Sequence, residues 1–351
     1  MTEQGKWDDM VTNMKLLRGI YAYGFESPSP IQARAIPTMS TNQDLIAQAQ
    51  SGTGKTGSFS VGVLSQIDES LRENQAIVMA PTRELAQQTF SVMSDLSKFM
   101  EGLSISLVIG GTSTRECIAE LSKRPQVIIG CPGRIYDMLH RGLIAGSDIK
   151  VLVLDEADEM LSSGFRDQVY DIFQYLSTET QVCLFSATLP DEVMELSKRF
   201  MREPEHILVK SEMLTLEGIQ QFRVDVDNDT HKFDCIKDIF DAISLSQAII
   251  YCNSVKRAQD LYDDMSKDGF PVTVLHGEME RQVRQNNYLS FKSGKHRVLI
   301  STNLTARGID VQQVSTVINF DLTRDVHTYL HRIGRSGRWG RKGVSISFAT
   351  P

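Results

Sequence analysis

The chain has 351 residues, more than one hydrophobic core usually serves, so two domains are expected. Hydrophobic residues make up 41% and charged residues 23%, which excludes disordered, fibrous and membrane-embedded compositions. The net charge of −7 excludes a uniformly basic nucleic-acid binder, so any polyanion site has to be a local patch of arginines and backbone N–H groups.

Short apolar runs alternate with longer helical patterns along the chain. Strands are expected at 44–49, 76–80, 104–109, 126–130, 150–154, 181–185 and 206–209. Several, such as VLVL at 151–154, are continuous apolar runs, the pattern of strands covered on both faces in a parallel sheet. The stretch 210–216 is polar and aperiodic, and the linker is placed at 211–216, between a first domain of 1–210 and a second of 217–351. The alternation then resumes, with strands expected at 222–226, 247–251, 272–275, 297–300, 316–319 and 344–348. The fold class is α/β. No apolar run reaches the roughly 18 residues a membrane helix requires. The start, MTEQGKWDDM, has no signal-peptide pattern. The five cysteines (Cys117, Cys131, Cys183, Cys235, Cys252) have neither CxxC nor zinc spacing, which fits reduced thiols in the cytoplasm or nucleus.

AQSGTGKT follows the first strand and opens a helical pattern: Ala49, Gln50, Ser51, Gly52, Thr53, Gly54, Lys55 and Thr56. Small residues there let backbone N–H groups turn toward phosphate oxygens, and the helix N-terminus adds a favourable dipole. Lys55 is placed to reach the β- and γ-phosphates and Thr56 to ligate Mg²⁺. After the strand at 150–154 comes DEAD, residues 155–158. An acid at the carboxyl end of a buried parallel strand points into the ligand crevice. Asp155 is therefore a magnesium residue and Glu156 a base for the attacking water. A solvated acidic helix start is the alternative for these acids taken alone; the phosphate loop weighs against it. Near the end, HRIGRSGRWGR carries Arg335 and Arg338, three apart and so on one face of a helix. They are candidate arginine fingers, with a basic surface helix as the alternative.

These motifs, in this order and over nearly the whole chain, resemble the DEAD-box family of superfamily 2 RNA helicases. RGIYAYGFESPSPIQ (18–32), AQAQSGTGKT (47–56), LDEADEML (154–161) and LTLEGI (214–219) are similar to its translation initiation factor 4A subfamily. The resemblance implies two tandem RecA-like domains, each a mainly parallel sheet flanked by helices, with ATP and Mg²⁺ as cofactors. It implies that Phe25 stacks on the adenine and Gln32 reads its edge. It implies that Ser186 and Thr188 of SAT couple nucleotide state to conformation, and that Gly308 and Asp310 face the nucleotide. It implies an RNA track of Pro81, Thr82, Arg83, the Gly110–Gly111 pair, Arg134, Asn253, Gly277 and Thr302, holding ribose and phosphate. Such a track needs only a few local contacts, which reconciles RNA binding with an acidic chain.

The implied activity is ATP-dependent separation of short RNA duplexes across a cleft between the domains, in translation initiation or in mRNA or rRNA processing. An ATP-gated RNA clamp that serves as an assembly platform, a DNA translocase and a simple metabolic NTPase are the alternatives. A monomer with protein regulators and no membrane partner is expected. The chain departs from the family pattern at Cys131 (usually Thr), Asn303 (Asp), Arg281 (Gln) and Thr323 (Pro), and at Trp7 and Trp339, where Phe or Tyr is common. It stops at Pro351, where the family continues with a further helical segment.

Overall fold

Every segment expected to be a strand contains one in the computed structural model, which describes residues 6–49, 53–162, 164–208, 219–242, 247–302, 314–323, 326–336 and 343–350. The linker, the tail of the strand expected at 206–209, and Asn303, Trp339, Gln50, Ser51, Gly52, Gly308, Asp310 and Arg338 lie outside the described residues. Contacts divide the chain into two units, Met1–Lys210 and Ser211–Pro351.

In the first unit the strands are β1 (Leu45–Gln48), β2 (Ala76–Met79), β3 (Ile105–Val108), β4 (Val127–Gly130), β5 (Val151–Asp155), β6 (Gln181–Ser186) and β7 (Glu205–Leu208). They form one parallel sheet in the order β3-β4-β2-β5-β6-β1-β7. β2, β4, β5 and β6 are buried along their whole length, as their unbroken apolar runs require. Successive side chains alternate between two cores: Val151 and Val153 face one, Leu152 and Leu154 the other. The first core holds Trp7, Ile20, Phe59 and Phe185; the second holds Ile128, Ile172 and Leu196.

The amino edge of this sheet is closed by buried polar side chains. Asp44 accepts from the N–H groups of Val182 (2.9 Å) and Arg202 (2.6 Å). Gln75 donates to Asp68 O (2.9 Å), Gln126 to Gly102 O (3.0 Å) and Gln181 to Gln43 O (2.6 Å). These groups satisfy loop backbone that would otherwise be buried without partners. The carboxyl edge is assembled by register, with Gln48 opposite Ser186 and Asp155 opposite Phe185. The turns after β1, β5 and β6 therefore emerge side by side.

The second unit repeats the plan with β8 (Ile219–Asp225), β9 (Ala248–Cys252), β10 (Val272–Leu275), β11 (Val298–Thr302), β12 (Thr316–Asn319) and β13 (Gly343–Ala349). The order is β10-β11-β9-β12-β13-β8, again parallel. Gln247 caps the amino edge by donating to Phe291 O at 2.7 Å. At the carboxyl edge Asp321 accepts from Arg257 Nη2 (2.6 Å) and Lys232 Nζ (3.3 Å), while Arg257 also reaches Asp229 (2.8 Å). Burial would raise the Asp321 carboxyl, but the Arg257 hydrogen bond, the Asn253 N–H and the two cations hold it below its ordinary range. Hydrogen bonds from Arg257, then Lys232, take Asp229 down to about 2. Among the described residues no helix is long and apolar enough to cross a membrane.

Two outcomes test this packing. A Cβ on Gly19, in the helix Met14–Tyr23, would stand 1.8 Å from the Leu96 carbonyl oxygen. Gly19→Ala is therefore expected to destabilise the first unit by about 3 kcal/mol in denaturant unfolding. Asp321→Asn leaves Arg257 and the buried Lys232 without that carboxylate, and about 3 kcal/mol of the second unit's stability is expected to go with it. Both carboxyls are depressed in the folded state, so their stabilisation is complete above the unfolded value of about 4 and is lost as pH falls below it. The wild-type unfolding midpoint should drop over that window, and the Asp321→Asn protein should drop less.

Candidate functional site

Three turns meet at the carboxyl edge of the first sheet. The turn after β1 leads through Gly54, with φ of 103°, into the helix Lys55–Leu64. Gly54 can hold this left-handed conformation without the strain a Cβ would add. Ala49 is 2% exposed, and its N–H donates to Ser186 O at 3.0 Å, which ties the phosphate loop to β6. Thr53 and Thr56 are half-buried at the entry to the helix. The Lys55 side chain is buried and its Nζ lies 3.3 Å from Glu156 Oε2.

Asp155 ends β5 and Glu156 begins the turn, with φ of 49°. That conformation is uncommon for a residue with a Cβ and marks the turn as held by its surroundings. Burial works against the Lys55 ammonium, but the charges of Glu156, Asp155 and Asp158 outweigh it and hold the lysine above its ordinary range. Burial, then the charge of Glu156, pushes the Asp155 carboxyl well above the usual carboxylate range, against the pull of Lys55. The cluster thus concentrates three acids around one buried cation, an arrangement that a further cation would relieve. Among the described residues no cluster of three or more His, Cys, Asp or Glu side chains has the placement to hold a metal by itself. One carboxylate with the Thr56 hydroxyl suits Mg²⁺ only in company with substrate phosphates and water.

Sequence reasoning placed no role on Asp158, yet it joins two of the turns. Its Oδ2 accepts from Thr188 N–H (3.1 Å) and Thr188 Oγ1 (2.6 Å), and its own N–H donates to Ser186 Oγ (3.2 Å). Ser186 Oγ in turn donates to Thr188 O at 2.6 Å. The expected coupling residues Ser186 and Thr188 are therefore hydrogen-bonded directly to the acidic turn. The signal was present in the sequence as the fourth letter of the acidic motif, but only the pairing of β5 with β6 puts the two motifs in contact.

Gln32 and Phe25 stand beside the phosphate loop. Gln32 Oε1 accepts from Ser29 N–H at 2.7 Å, and its Nε2 lies 3.4 Å from Gly54 O. A Cβ on Gly57 would meet Gln32 Nε2 at 2.6 Å and the Phe25 ring at 3.1 Å, so the helix after the loop approaches both residues closely. Phe25 is half-buried; Trp7 stacks on it with centroids 5.9 Å apart and planes at 12°, and Tyr23 meets it edge-on at 4.9 Å. The amide and the ring are thus both fixed before any ligand arrives.

Of the residues expected to touch RNA, those of the first unit follow the neighbouring strands β2, β3 and β4 at the carboxyl edge. Pro81 and Thr82 are buried at the start of the helix Arg83–Leu96, where Thr82 Oγ1 accepts from Leu85 N–H at 3.2 Å. Arg83 Nη2 lies 3.3 Å from where a Gly110 Cβ would stand. Gly111 is exposed, with φ of 79°. Arg134 donates to Thr114 Oγ1 (3.0 Å), and its Nη2 lies 3.4 Å from Thr112 O. Two guanidiniums thus flank the Gly110–Gly111 turn, and among the described residues neither has a carboxylate at ion-pair distance. In an acidic chain such a pair of guanidiniums suits a local polyanion contact.

In the second unit the outcome is mixed. Gly277 is exposed after β10, and Thr302 is buried at the end of β11. The Asn253 side chain is engaged within the unit: its Oδ1 accepts from Arg332 Nη2 (2.8 Å) and its Nδ2 donates to Leu322 O (2.8 Å). The final helix ends at Ile333, before Arg335, so the expectation of a helix carrying Arg335 and Arg338 on one face is corrected for Arg335. The helical bonding then tightens: Arg335 N–H donates to Arg332 O at 3.2 Å and Ser336 N–H to Ile333 O at 2.9 Å. Arg335 is 8% exposed, and its Nε has no hydrogen-bond partner among the described residues.

Residues 29–196 match the DEAD/DEAH box helicase family, and residues 231–340 match the helicase conserved C-terminal domain. Eukaryotic initiation factor 4A of Caenorhabditis elegans is 52% identical over 344 residues, 98% of this chain and 85% of that protein. The initiation factor 4A of Drosophila melanogaster is equally similar, with 52% identity over the same shares. Among solved structures, S. cerevisiae Dbp5 bound to RNA and ADP BeF3 matches with a TM-score of 0.91 at 37% identity, covering 99% of this chain and 90% of that one. With both halves matched and identity above half to such relatives, the chain belongs to the DEAD/DEAH box helicase family.

Proposed function

We propose that this protein is an RNA-stimulated ATPase that uses ATP to separate short RNA duplexes locally, and that it works in translation initiation. The observation that carries this reading is the buried Lys55–Glu156 pair beside Asp155, tied through Asp158 to Ser186 and Thr188. Its similarity to relatives named initiation factor 4A supports the pathway.

In this reading Phe25 and Gln32 take the adenine, and residues 49–56 cradle the phosphates. Lys55, held charged, exchanges Glu156 for phosphate oxygens when the triphosphate enters. Glu156 is then freed to accept a proton from the attacking water. Mg²⁺, held by Thr56 and Asp155, would neutralise charge on the β- and γ-phosphates. Arg335 and Arg338 stabilise the charge of the transferring phosphoryl group, and the unpaired Nε of Arg335 leaves a donor for it. Gly308 and Asp310 are assigned to the nucleotide. The Asp158–Thr188 bonds transmit the state of the acidic turn to the chain after β6.

RNA is held by Pro81, Thr82, Arg83, Gly111 and Arg134 of the first unit and by Asn253, Gly277 and Thr302 of the second, through sugar and phosphate rather than base edges. The engaged side chain of Asn253 restricts its part to positioning the turn that carries it. DNA-like stacking costs about 1.4 kcal/mol per base-pair step to melt, and on that scale one ATP cycle suits a handful of pairs. The protein is proposed to act as a monomer in the cytoplasm or nucleus, with protein regulators.

ATP turnover with and without single-stranded RNA, against DNA of the same sequence, tests the assignment. RNA should stimulate and DNA should not, because a ribose-directed track uses the 2′-hydroxyl. Lys55→Ala and Glu156→Gln should each lose at least about 100-fold of the stimulated rate; full activity in either would defeat the proposal. Thr188→Ala removes one bond to Asp158 and leaves the phosphate cluster in place. It should keep RNA-stimulated turnover while losing separation of a short duplex, measured by strand displacement.

A further inference from the structure

Arg134 is a long, half-buried side chain whose guanidinium donates to two oxygens of the segment after β3. The bond to Thr112 O is long, at 3.4 Å, whereas that to Thr114 Oγ1 is 3.0 Å. Thr114 is the first residue of the helix Thr114–Leu121, whose N-cap, Ser113, accepts from Glu116 N–H. Its Cα is therefore fixed by helix geometry, and its branched side chain has few χ1 rotamers. Arg134 sits in the first turn of the helix Pro132–His140. The Arg134–Thr114 bond thus joins the turn after β3 to the turn after β4.

We propose that Thr114 is a positioning residue of the RNA-binding surface: its hydroxyl holds the Arg134 guanidinium beside the Gly110–Gly111 turn and so sets the affinity for the RNA backbone. The inference rests on the reading of that surface as the RNA track. Three physical points support it. An arginine has many rotamers, and fixing one before binding removes an entropic cost that the complex would otherwise bear. A neutral hydroxyl holds the guanidinium without neutralising it, so the full charge stays available to a phosphate. Arg83 holds the other flank against Gly110, so with Arg134 fixed the two cations have a set spacing across the turn. A strand of regularly spaced phosphates rewards a set spacing.

The test is the affinity of the full chain for a fluorescent single-stranded oligouridylate, in the presence of a non-hydrolysable ATP analogue, over a series of salt concentrations. Thr114→Val keeps the branched shape and removes the hydroxyl. It is expected to weaken RNA binding about tenfold, the effect of losing a bond to a charged donor. The apparent KM for ATP should stay within about twofold, since the ATP-binding turns are untouched. Thr114→Ser should bind like the wild type. The salt slope of Thr114→Val should equal that of the wild type, because no cation is lost, whereas Arg134→Ala should lower it by about 0.7. On the Arg134→Ala background, Thr114→Val should add nothing further. Thr114→Val binding as tightly as the wild type, or more tightly, overturns the proposal, as does an effect that multiplies in full with that of Arg134→Ala. If Arg134→Ala and Arg83→Ala both bind RNA like the wild type, the RNA-track reading itself falls.

Discussion

Parallel strand pairing is the constraint on which the rest of this structure depends. In a parallel sheet every strand delivers its carboxyl end to the same edge, so turns far apart in sequence emerge together. In the first unit the pairing of β5 with β6 and of β6 with β1 brings residues 49–56, 155–158 and 186–188 to one place. A shift of one residue in either register would carry Asp155 or Ser186 to the opposite face. β5 and β6, which set this register, are buried along their whole length.

The two edges of that sheet are treated differently, and the difference has a chemical sense. At the amino edge, Asp44, Gln75, Gln126 and Gln181 consume their hydrogen-bonding capacity on neighbouring loops. At the carboxyl edge, three acids crowd around the single buried ammonium of Lys55. Asp155 is held with its carboxyl destabilised as an anion by burial and by Glu156. One edge stabilises the fold. The other holds charge in a state that a polyanionic ligand and a cation together would improve.

The side proposed to face RNA follows the same economy on an acidic chain. Arg83 and Arg134 flank one glycine turn without local acids to neutralise them among the described residues. The second unit makes the opposite choice for Arg257 and Arg332. Arg257 is bound by Asp321 and Asp229, and Arg332 is buried against Asn319, Asn253 and the Asp321 carbonyl. Arginines of similar appearance in the sequence therefore differ in whether a carboxylate lies within ion-pair reach or the side chain is fully buried, which the sequence does not display.

The strands and the phosphate loop were legible in the sequence because each rests on local chemistry: apolar runs that bury both faces, and small residues before Lys55 at a helix start. The family was legible because its motifs are short and contiguous. What only the tertiary structure decided involves residues brought together from different strands. Asp158 reaching Thr188, Thr114 receiving Arg134 and Arg332 filling the Asn253 amide join partners 20 to 79 positions apart, and no periodicity records such pairs. The end of the last helix at Ile333 belongs with them: the three-residue spacing of Arg335 and Arg338 fits a helix, but a tight turn prevailed for Arg335. Spacing along the chain determined which residues carry charge near one another in sequence; strand register determined which of those charges meet.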